Sequence, residues 1–237
     1  KELDNSDKIA RITNNIAINY DIQALYDDAL SYYKESLEIS EKMGNKRSIG
    51  LKYGNIGSVY ISLGKYENAL NSFQKALDVL DPANDKNVIQ NIYGNLGILY
   101  EQMEKYESAL DYYLKAMNIA KELDDKNSLV IGYGNIGVLY KRLNNHDKAI
   151  EYLNNSVELS IQIGNKWNLL TTYLTISSVY EEKNELLKAL EYTNMALEIA
   201  LNIGAERYIS MCYVSLGNKY FKLAKVNNDN QIIRKGY

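Results

Sequence analysis

Apolar residues recur along the chain with the spacing of amphipathic helices that come in pairs. In one stretch, Ile49, Tyr53, Ile56 and Tyr60 follow the i, i+4, i+7, i+11 spacing of a single helix face. Gly64-Lys65 interrupts this pattern, and a second apolar face follows at Tyr66, Ala69, Leu70, Phe73, Ala76, Leu77 and Leu80. The pattern predicts two helices joined by a tight turn.

The same pair of patterns returns every 40 residues. Tyrosines stand at this spacing at positions 20, 60, 100, 140, 180 and 220, and a small residue does so at positions 17, 57, 97, 137, 177 and 217. The period predicts six first helices and five second helices. We therefore expect a single all-α array with repeats at about 6–45, 46–85, 86–125, 126–165 and 166–205, a partial repeat at 206–225 and a tail at 226–237.

Residues between the predicted helices support these boundaries. Gly44 and Gly164 can take the left-handed conformation that ends a helix, and Asn or Asp residues that follow suit the start of the next one. After Leu223 the pattern fails, because Asp229 falls where a second helix needs alanine. A frayed tail, a divergent cap and a linker all remain open for this segment.

One repeat carries a motif in the order Tyr53, Ile56, Gly57, Tyr60, Gly64, Tyr66, Ala69, Phe73, Ala76. This motif resembles the tetratricopeptide repeat, although Asp81 occupies the place of the usual closing proline and Pro82 follows it. The 40-residue length is similar to the peptide-binding repeats of kinesin light chain, of spindle-orienting scaffolds that bind G-protein subunits, and of bacterial pheromone receptors. The resemblance implies a right-handed α-solenoid, a superhelix of stacked antiparallel helix pairs.

The small residues and tyrosines are expected to serve packing. A single repeat cannot bury its apolar face alone, so neighbouring repeats must stack. Gly57 and its equivalents would let the two helices of a pair approach closely, with Ala69 and its equivalents filling the facing side. The tyrosines would bury large rings and leave their hydroxyls at a polar edge.

A row of amide side chains is the strongest candidate for a binding site. Asparagine is a mediocre helix residue, so its recurrence inside first helices needs a reason. In the resembled families this position faces the concave groove and holds the backbone of an extended peptide. A second interpretation is that each asparagine only bonds to its repeat neighbour and fixes helix spacing. The candidate peptide-binding residues are Asn15, Asn55, Asn95, Asn135 and Thr175.

The expected spacing of these residues suits an extended peptide. Neighbouring helices lie about 8–10 Å apart and a strand rises about 3.3 Å per residue, so one amide would meet roughly every third peptide residue. Gly54, Gly94 and Gly134 would either admit a ligand backbone or serve helix packing. Arg142, with Lys141, is either a contact for an acidic residue or a solvated pair. The predicted groove lining is Leu51, Asn91, Ile98, Ile131, Val138 and Arg142.

Composition narrows the possible chemistry. A net charge of −3 and a pI near 5.4 argue against a nucleic-acid partner. With one histidine and one cysteine, neither a disulfide framework nor a His/Cys metal cluster is expected. We predict no catalytic residue, metal ligand or cofactor. No apolar run is long enough to insert into a membrane, and a cytoplasmic location is expected, with a removed signal peptide left open.

These features predict a non-enzymatic scaffold that holds an extended peptide or protein segment in its concave groove. The alternative is the input region of a larger bacterial signalling protein, such as a histidine kinase or transcription regulator, whose effector domain is outside this chain. A homo-oligomer through the ends of the array is also possible on these patterns. In the scaffold hypothesis, Asn55→Ala combined with Asn95→Ala weakens ligand capture and leaves melting nearly unchanged.

Overall fold

The computed structural model describes the backbone of residues 2–235 and the side chains of residues 5–225. This part of the chain contains eleven α-helices and no strand, which confirms the all-α prediction. The first helices are α1 (Glu2–Ile22), α3 (Lys46–Ser62), α5 (Lys86–Gln102), α7 (Lys126–Arg142), α9 (Lys166–Glu182) and α11 (Glu206–Lys235). The second helices are α2 (Tyr26–Lys42), α4 (Tyr66–Val79), α6 (Tyr106–Glu122), α8 (His146–Ile163) and α10 (Leu186–Ile203).

The helices form two compact units, Lys1–Asp124 and Asp125–Tyr237. In the first unit each first helix packs on its own second helix, as the pairs α1/α2, α3/α4 and α5/α6. In the second unit the pairs are α7/α8 and α9/α10, and α11 packs on α10. The first helices of successive repeats also touch, as α3 with α5 and α7 with α9. Each unit therefore presents a face built from first helices.

The helix ends follow the expected turn chemistry. Gly44 and Gly164 adopt φ values of +66° and +69°, as predicted from the sequence. Asn45 and Asn165 accept a hydrogen bond from the third residue of the next helix, which is the N-cap contact. Other turns contain a non-glycine residue in the left-handed conformation, which the sequence did not predict. These residues are Ala24, Glu104, Asp124, Asn144 and Asn184.

The recurring glycines lie directly against a large side chain of the second helix. A Cβ on Gly57 would fall 2.6 Å from a ring carbon of Phe73, and one on Gly97 would fall 2.4 Å from the ring of Tyr113. At these two sites the atoms nearest to the glycine belong to the ring and not to the expected alanine. Ala69 is fully buried, but the ring that meets Gly57 lies one turn later, where the antiparallel second helix crosses the glycine.

The tyrosines pack as pairs across the helix hairpins. Tyr100 and Tyr112 stack with ring centroids 5.3 Å apart, and Tyr180 and Tyr192 stack at 5.5 Å. Burial raises the pKa of Tyr192, consistent with a phenol held mostly inside the hairpin. The period-40 tyrosines are thus part of the packing in both units.

The sixth repeat has no second helix within the described residues. Helix α11 continues as far as Lys235 instead of turning back at the break that the earlier repeats share. The predicted tail, 226–237, lies outside the residues whose side chains are described.

Candidate functional site

Two of the candidate asparagines link successive first helices in the first unit. Asn55 Nδ2 on α3 donates to Asn14 Oδ1 on α1 at 3.2 Å, and Asn95 Nδ2 on α5 donates to Ser58 Oγ on α3 at 2.9 Å. Both asparagine side chains are half-buried. A carboxamide carries two N–H donors and one carbonyl acceptor, so each residue uses only part of its hydrogen-bonding capacity in this link.

The first member of the row makes no link of this kind to a described residue. Asn15 is exposed on α1, and the residue whose amide oxygen meets Asn55 is its neighbour Asn14. Later repeats have glycine at the position of Asn14, as in Gly54 and Gly94, so no side chain there can reach the next helix. In α5 the link consequently runs from Asn95 to Ser58, one turn further along α3.

In the second unit the candidate residues line a shared cavity between α7 and α9. This cavity has a volume of about 220 Å³. The Asn135 side chain is half-buried, and the structure shows no hydrogen bond to its carboxamide from any described residue. Thr175 donates its hydroxyl to Thr171 O at 2.9 Å, so toward a ligand it can act as an acceptor. The predicted residues in the lining are Ile131, Asn135, Val138 and Thr175.

Buried hydroxyls form part of the same cavity wall. Ser156 Oγ donates to Val130 O at 3.0 Å and lies 3.3 Å from Thr172 Oγ1. Both hydroxyl side chains are buried. The cavity therefore combines aliphatic surface with fixed polar groups.

A second cavity adjoins the first one through Val138. It has a volume of about 400 Å³ and is also lined by Lys141, Arg142, Asn144 and Glu182. Lys141 Nζ donates to Ser178 Oγ at 2.7 Å and lies 3.2 Å from Glu182 Oε1, which joins α7 to α9. His146 Nδ1 lies 3.8 Å from Glu182 Oε2. The charged side chains make this cavity polar at one end and aliphatic at Val138.

The structure brings together some of the predicted lining but not all of it. Val138 and Arg142 share the second cavity. In the first unit, Leu51 and Asn91 are exposed on α3 and α5, and Ile98 is 36% exposed on α5. These three residues lie on a surface that is open to solvent.

Sequence reasoning missed several residues of the α7/α9 lining. Asn168 and Glu182 lie two helical turns before and after Thr175, beyond the single-turn spacing used to choose the lining. A search extended to seven residues in each direction would have found both.

A buried lysine on α3, Lys52, was also not predicted. Burial lowers the pKa of Lys52, and the charge of Asp7 opposes this shift.

Two further properties concern the described residues as a whole. None of their groups of His, Cys, Asp or Glu side chains has three or more members placed to hold a metal ion. No described helix has an apolar stretch of the length and hydropathy that a membrane crossing requires.

Comparisons with solved structures place the fold among helical repeat proteins. A signal-transduction ATPase with a tetratricopeptide repeat sensor from Pyrococcus horikoshii matches 88% of this chain with a TM-score of 0.77 at 20% identity, and this chain spans only 32% of that protein. Aspartyl phosphate phosphatase F from Bacillus subtilis matches 90% of this chain, and this chain spans 60% of that protein, with a TM-score of 0.67 at 16% identity. A Rap protein complexed with Competence and Sporulation Factor matches 95% of this chain, and this chain spans 66% of that protein, with a TM-score of 0.67 at 17% identity.

Family models give the more specific result. Two models described as tetratricopeptide repeat match residues 9–43, 48–122 and 128–202. A search of curated protein sequences finds no significant match. The matched segments cover most of the chain and coincide with five of its helix pairs. The chain therefore belongs to the tetratricopeptide repeat family.

Proposed function

We propose that this protein is a non-enzymatic scaffold that binds an extended segment of another protein along the faces of its first helices. The observation that carries this proposal is the cavity between α7 and α9, where Asn135 offers a half-buried carboxamide with no partner among the described residues. Buried polar groups are normally hydrogen-bonded, so a group of this kind is suited to a ligand.

An extended backbone fits the chemistry of this surface. A carboxamide can donate to a peptide C=O and accept from a peptide N–H, so Asn135 can satisfy both groups of one peptide unit. Typical small-molecule pockets enclose about 300–1,000 Å³ and bury most of their ligand. The two cavities here hold about 220 and 400 Å³ and adjoin at Val138. The larger cavity falls within this range, but Ile131 in one lining and Asn144 in the other are exposed to solvent. Open cavities of this kind suit successive side chains of a peptide better than one enclosed molecule.

The charge pattern indicates the kind of peptide. An aliphatic side chain would contact Ile131 and Val138, which line the first cavity. An acidic side chain in the second cavity would compete with Glu182 for Lys141, whose ammonium lies 3.2 Å from that carboxylate. A peptide of mixed character therefore fits better than a strongly charged one.

The asparagines of the first unit extend the same proposal. Asn55 and Asn95 each use one amide hydrogen in a link between repeats. The second amide hydrogen and the carbonyl oxygen are chemically able to bind a peptide backbone. The two interpretations of these residues, spacing of the helices and recognition of a ligand, are therefore compatible.

The test begins by identifying a partner. The chain is used to capture binding proteins, which are identified by mass spectrometry, and the bound segment is then made as a peptide. Asn135→Ala should weaken the peptide about three- to tenfold, the effect of losing roughly one hydrogen bond. Asn154→Ala, an exposed residue on α8, is the matched control and should change nothing.

Two results would contradict the proposal. One is a peptide whose affinity is the same for Asn135→Ala and the unchanged chain. The other is a photo-crosslinking map in which the bound peptide contacts second helices instead of α7 and α9.

A second candidate function is the sensor region of a larger signalling protein. The comparison with the Pyrococcus horikoshii ATPase favours it, because its tetratricopeptide repeat sensor belongs to a protein of which this chain matches 32%. Sequencing of the complete reading frame distinguishes the two candidates. An adjoining effector domain supports the sensor, and a reading frame limited to repeats excludes it.

A further inference from the structure

Helix α11 carries an apolar stripe that is open to solvent. We name it the α11 stripe and define it by residues at helical spacing: Tyr213, Val214, Gly217, Tyr220, Phe221 and Ala224. Phe221 is 74% exposed, and the Tyr213, Val214 and Tyr220 side chains are 57–65% exposed. The opposite side of α11 is well packed, since Cys212, Leu216 and Lys219 are buried.

The earlier repeats show what normally covers this stripe. Gly217 is equivalent to Gly57, Gly97 and Gly137, which each lie against a large side chain of their own second helix. Around Gly217, a Cβ would meet nothing within 4 Å. Tyr173 on α9 is 7% exposed, whereas its equivalent Tyr213 is 57% exposed. The α11 stripe is therefore the packing surface of a first helix without its second helix, within the described residues.

The stripe carries both residue types of the glycine–ring contact that the second repeat makes. In the second repeat the ring of Phe73 packs against Gly57, in the space that a larger side chain would occupy. In α11 a glycine, Gly217, and a phenylalanine, Phe221, lie one helical turn apart on the same stripe. Such a surface is self-complementary, as a two-fold symmetric interface requires.

We propose that the α11 stripe binds the α11 stripe of a second copy of this chain in an antiparallel dimer. Phe221 of each copy lies over Gly217 of the other, which makes the glycine–ring contact twice. In this register Val214 lies opposite Ala224, and Lys225 lies opposite Tyr213. The last pairing matches a contact inside the second repeat, where Lys75 Nζ lies 5.6 Å from the ring centroid of Tyr53, the equivalent of Tyr213.

The charges around the stripe permit this pairing. Between Tyr213 and Ala224 the only charged residues are Lys219 and Lys222, and neither belongs to the stripe. Lys222, on the flank, is held by Glu181 of α9, and the buried Lys219 lies 3.0 Å from the same carboxylate. These two lysines are therefore partly neutralised within each copy, and Lys225, at the end of the stripe, lies over a tyrosine ring in the proposed register.

The size of the stripe sets the expected affinity. Aromatic side chains carry about 150–250 Å² each, so rings that are 57%, 58% and 74% exposed supply roughly 400 Å² from each copy. With Val214 and the small residues, the dimer buries about 1,000 Å² in total, near the lower end of specific interfaces. We expect a dissociation constant on the order of 10–100 µM.

Sedimentation equilibrium of the full chain between about 5 and 500 µM tests the dimer over the range in which it should form. Phe221→Glu should weaken association at least tenfold, and Gly217→Leu should do the same because it fills the hole. Ile161→Glu replaces a residue on α8 that is 59% exposed and is the matched control. All three positions are exposed, so circular dichroism should show unchanged helix content.

Cysteine crosslinking tests the register. In an equimolar mixture of Val214→Cys and Ala224→Cys chains, oxidation should give mixed disulfides in excess over disulfides between identical chains. The buried Cys212 is present in both chains and serves as the internal background.

Three outcomes would overturn the inference. The first is a native chain that remains monomeric at every concentration. The second is association that Phe221→Glu and Ile161→Glu weaken equally. The third is disulfide formation mainly between identical chains, which would place the helices in another register or direction.

Discussion

The contact between Gly97 and Tyr113 allows a direct test of why glycine recurs inside the first helices. We predict that Gly97→Ala destabilises the protein, whereas Gly94→Ala, one turn earlier in α5, stabilises it. Both changes remove glycine from a helix, which favours the folded state by about 0.5–1 kcal/mol. They differ in surroundings, because a Cβ on Gly97 meets the Tyr113 ring at 2.4 Å and one on Gly94 meets nothing within 4 Å.

The cost at Gly97 follows from the packing of Tyr113. Its side chain is 2% exposed, and its hydroxyl donates to Glu101 Oε2 at 2.8 Å, so the ring is held at both ends. Overpacking of this kind costs about 1–3 kcal/mol. The two alanine variants should therefore differ by about 2 kcal/mol in the free energy of unfolding. For a chain of this length that corresponds to melting temperatures about 4–8 °C apart.

Urea and thermal unfolding followed by far-UV circular dichroism measure both variants against the unchanged chain. Repeat arrays can unfold in parts, so tyrosine fluorescence should be recorded in parallel to check that one transition is observed. If Gly97→Ala is as stable as Gly94→Ala, the ring yields without cost and close packing does not explain the recurring glycine.

Four further variants test contacts between helices and a helix cap. Glu181→Gln should cost roughly 2–3 kcal/mol, because it leaves the buried Lys219 without its carboxylate. Hydrogen bonds from Lys222 and Lys219 lower the pKa of Glu181, so this stabilisation is present above the unfolded-state pKa and is lost as the pH falls through the folded-state pKa. Unfolding in urea at pH 3–7 should therefore show a larger loss of stability toward acid in the unchanged chain than in Glu181→Gln, which keeps only the acid sensitivity of other carboxylates such as Asp147. Asn55→Ala should lower the free energy of unfolding by about 1 kcal/mol and Asn135→Ala by less, as measured by urea unfolding, and equal losses would contradict the assigned hydrogen bonds. Asn165→Ala should cost about 1 kcal/mol through loss of its helix cap, and an unchanged melting temperature would contradict that role.

The sequence predicted most of the fold because a strict period repeats the same local information. Tyr20, Tyr100 and Tyr180 follow one another at intervals of 80 residues, and each stacks on a second tyrosine in its own helix hairpin. The turns at Gly44 and Gly164 were predictable because glycine favours positive φ. Glu104 takes the same conformation, but its residue type gives no such signal.

The candidate site was less predictable because it depends on distances that periodicity does not determine. The sequence placed Asn55 and Asn95 in one row. It did not predict that the amide of Asn55 reaches Asn14 and that the amide of Asn95 reaches Ser58. These contacts change the original expectation for the double variant Asn55→Ala with Asn95→Ala. It removes two links between helices, so we now expect a lower melting temperature as well as weaker ligand capture.

The left-handed turn residues have a consequence for how the protein opens. A non-glycine residue in this conformation costs roughly 1–2 kcal/mol, which Gly44 and Gly64 avoid and Ala24 does not. Ala24 joins α1 to α2, a hairpin that has a neighbouring repeat on only one side among the described residues. Hydrogen exchange should consequently be faster in α1 and α2 than in α3 and α4, whose turn has a glycine and which contact a repeat on either side. Protease cleavage within these two repeats should begin near Ala24.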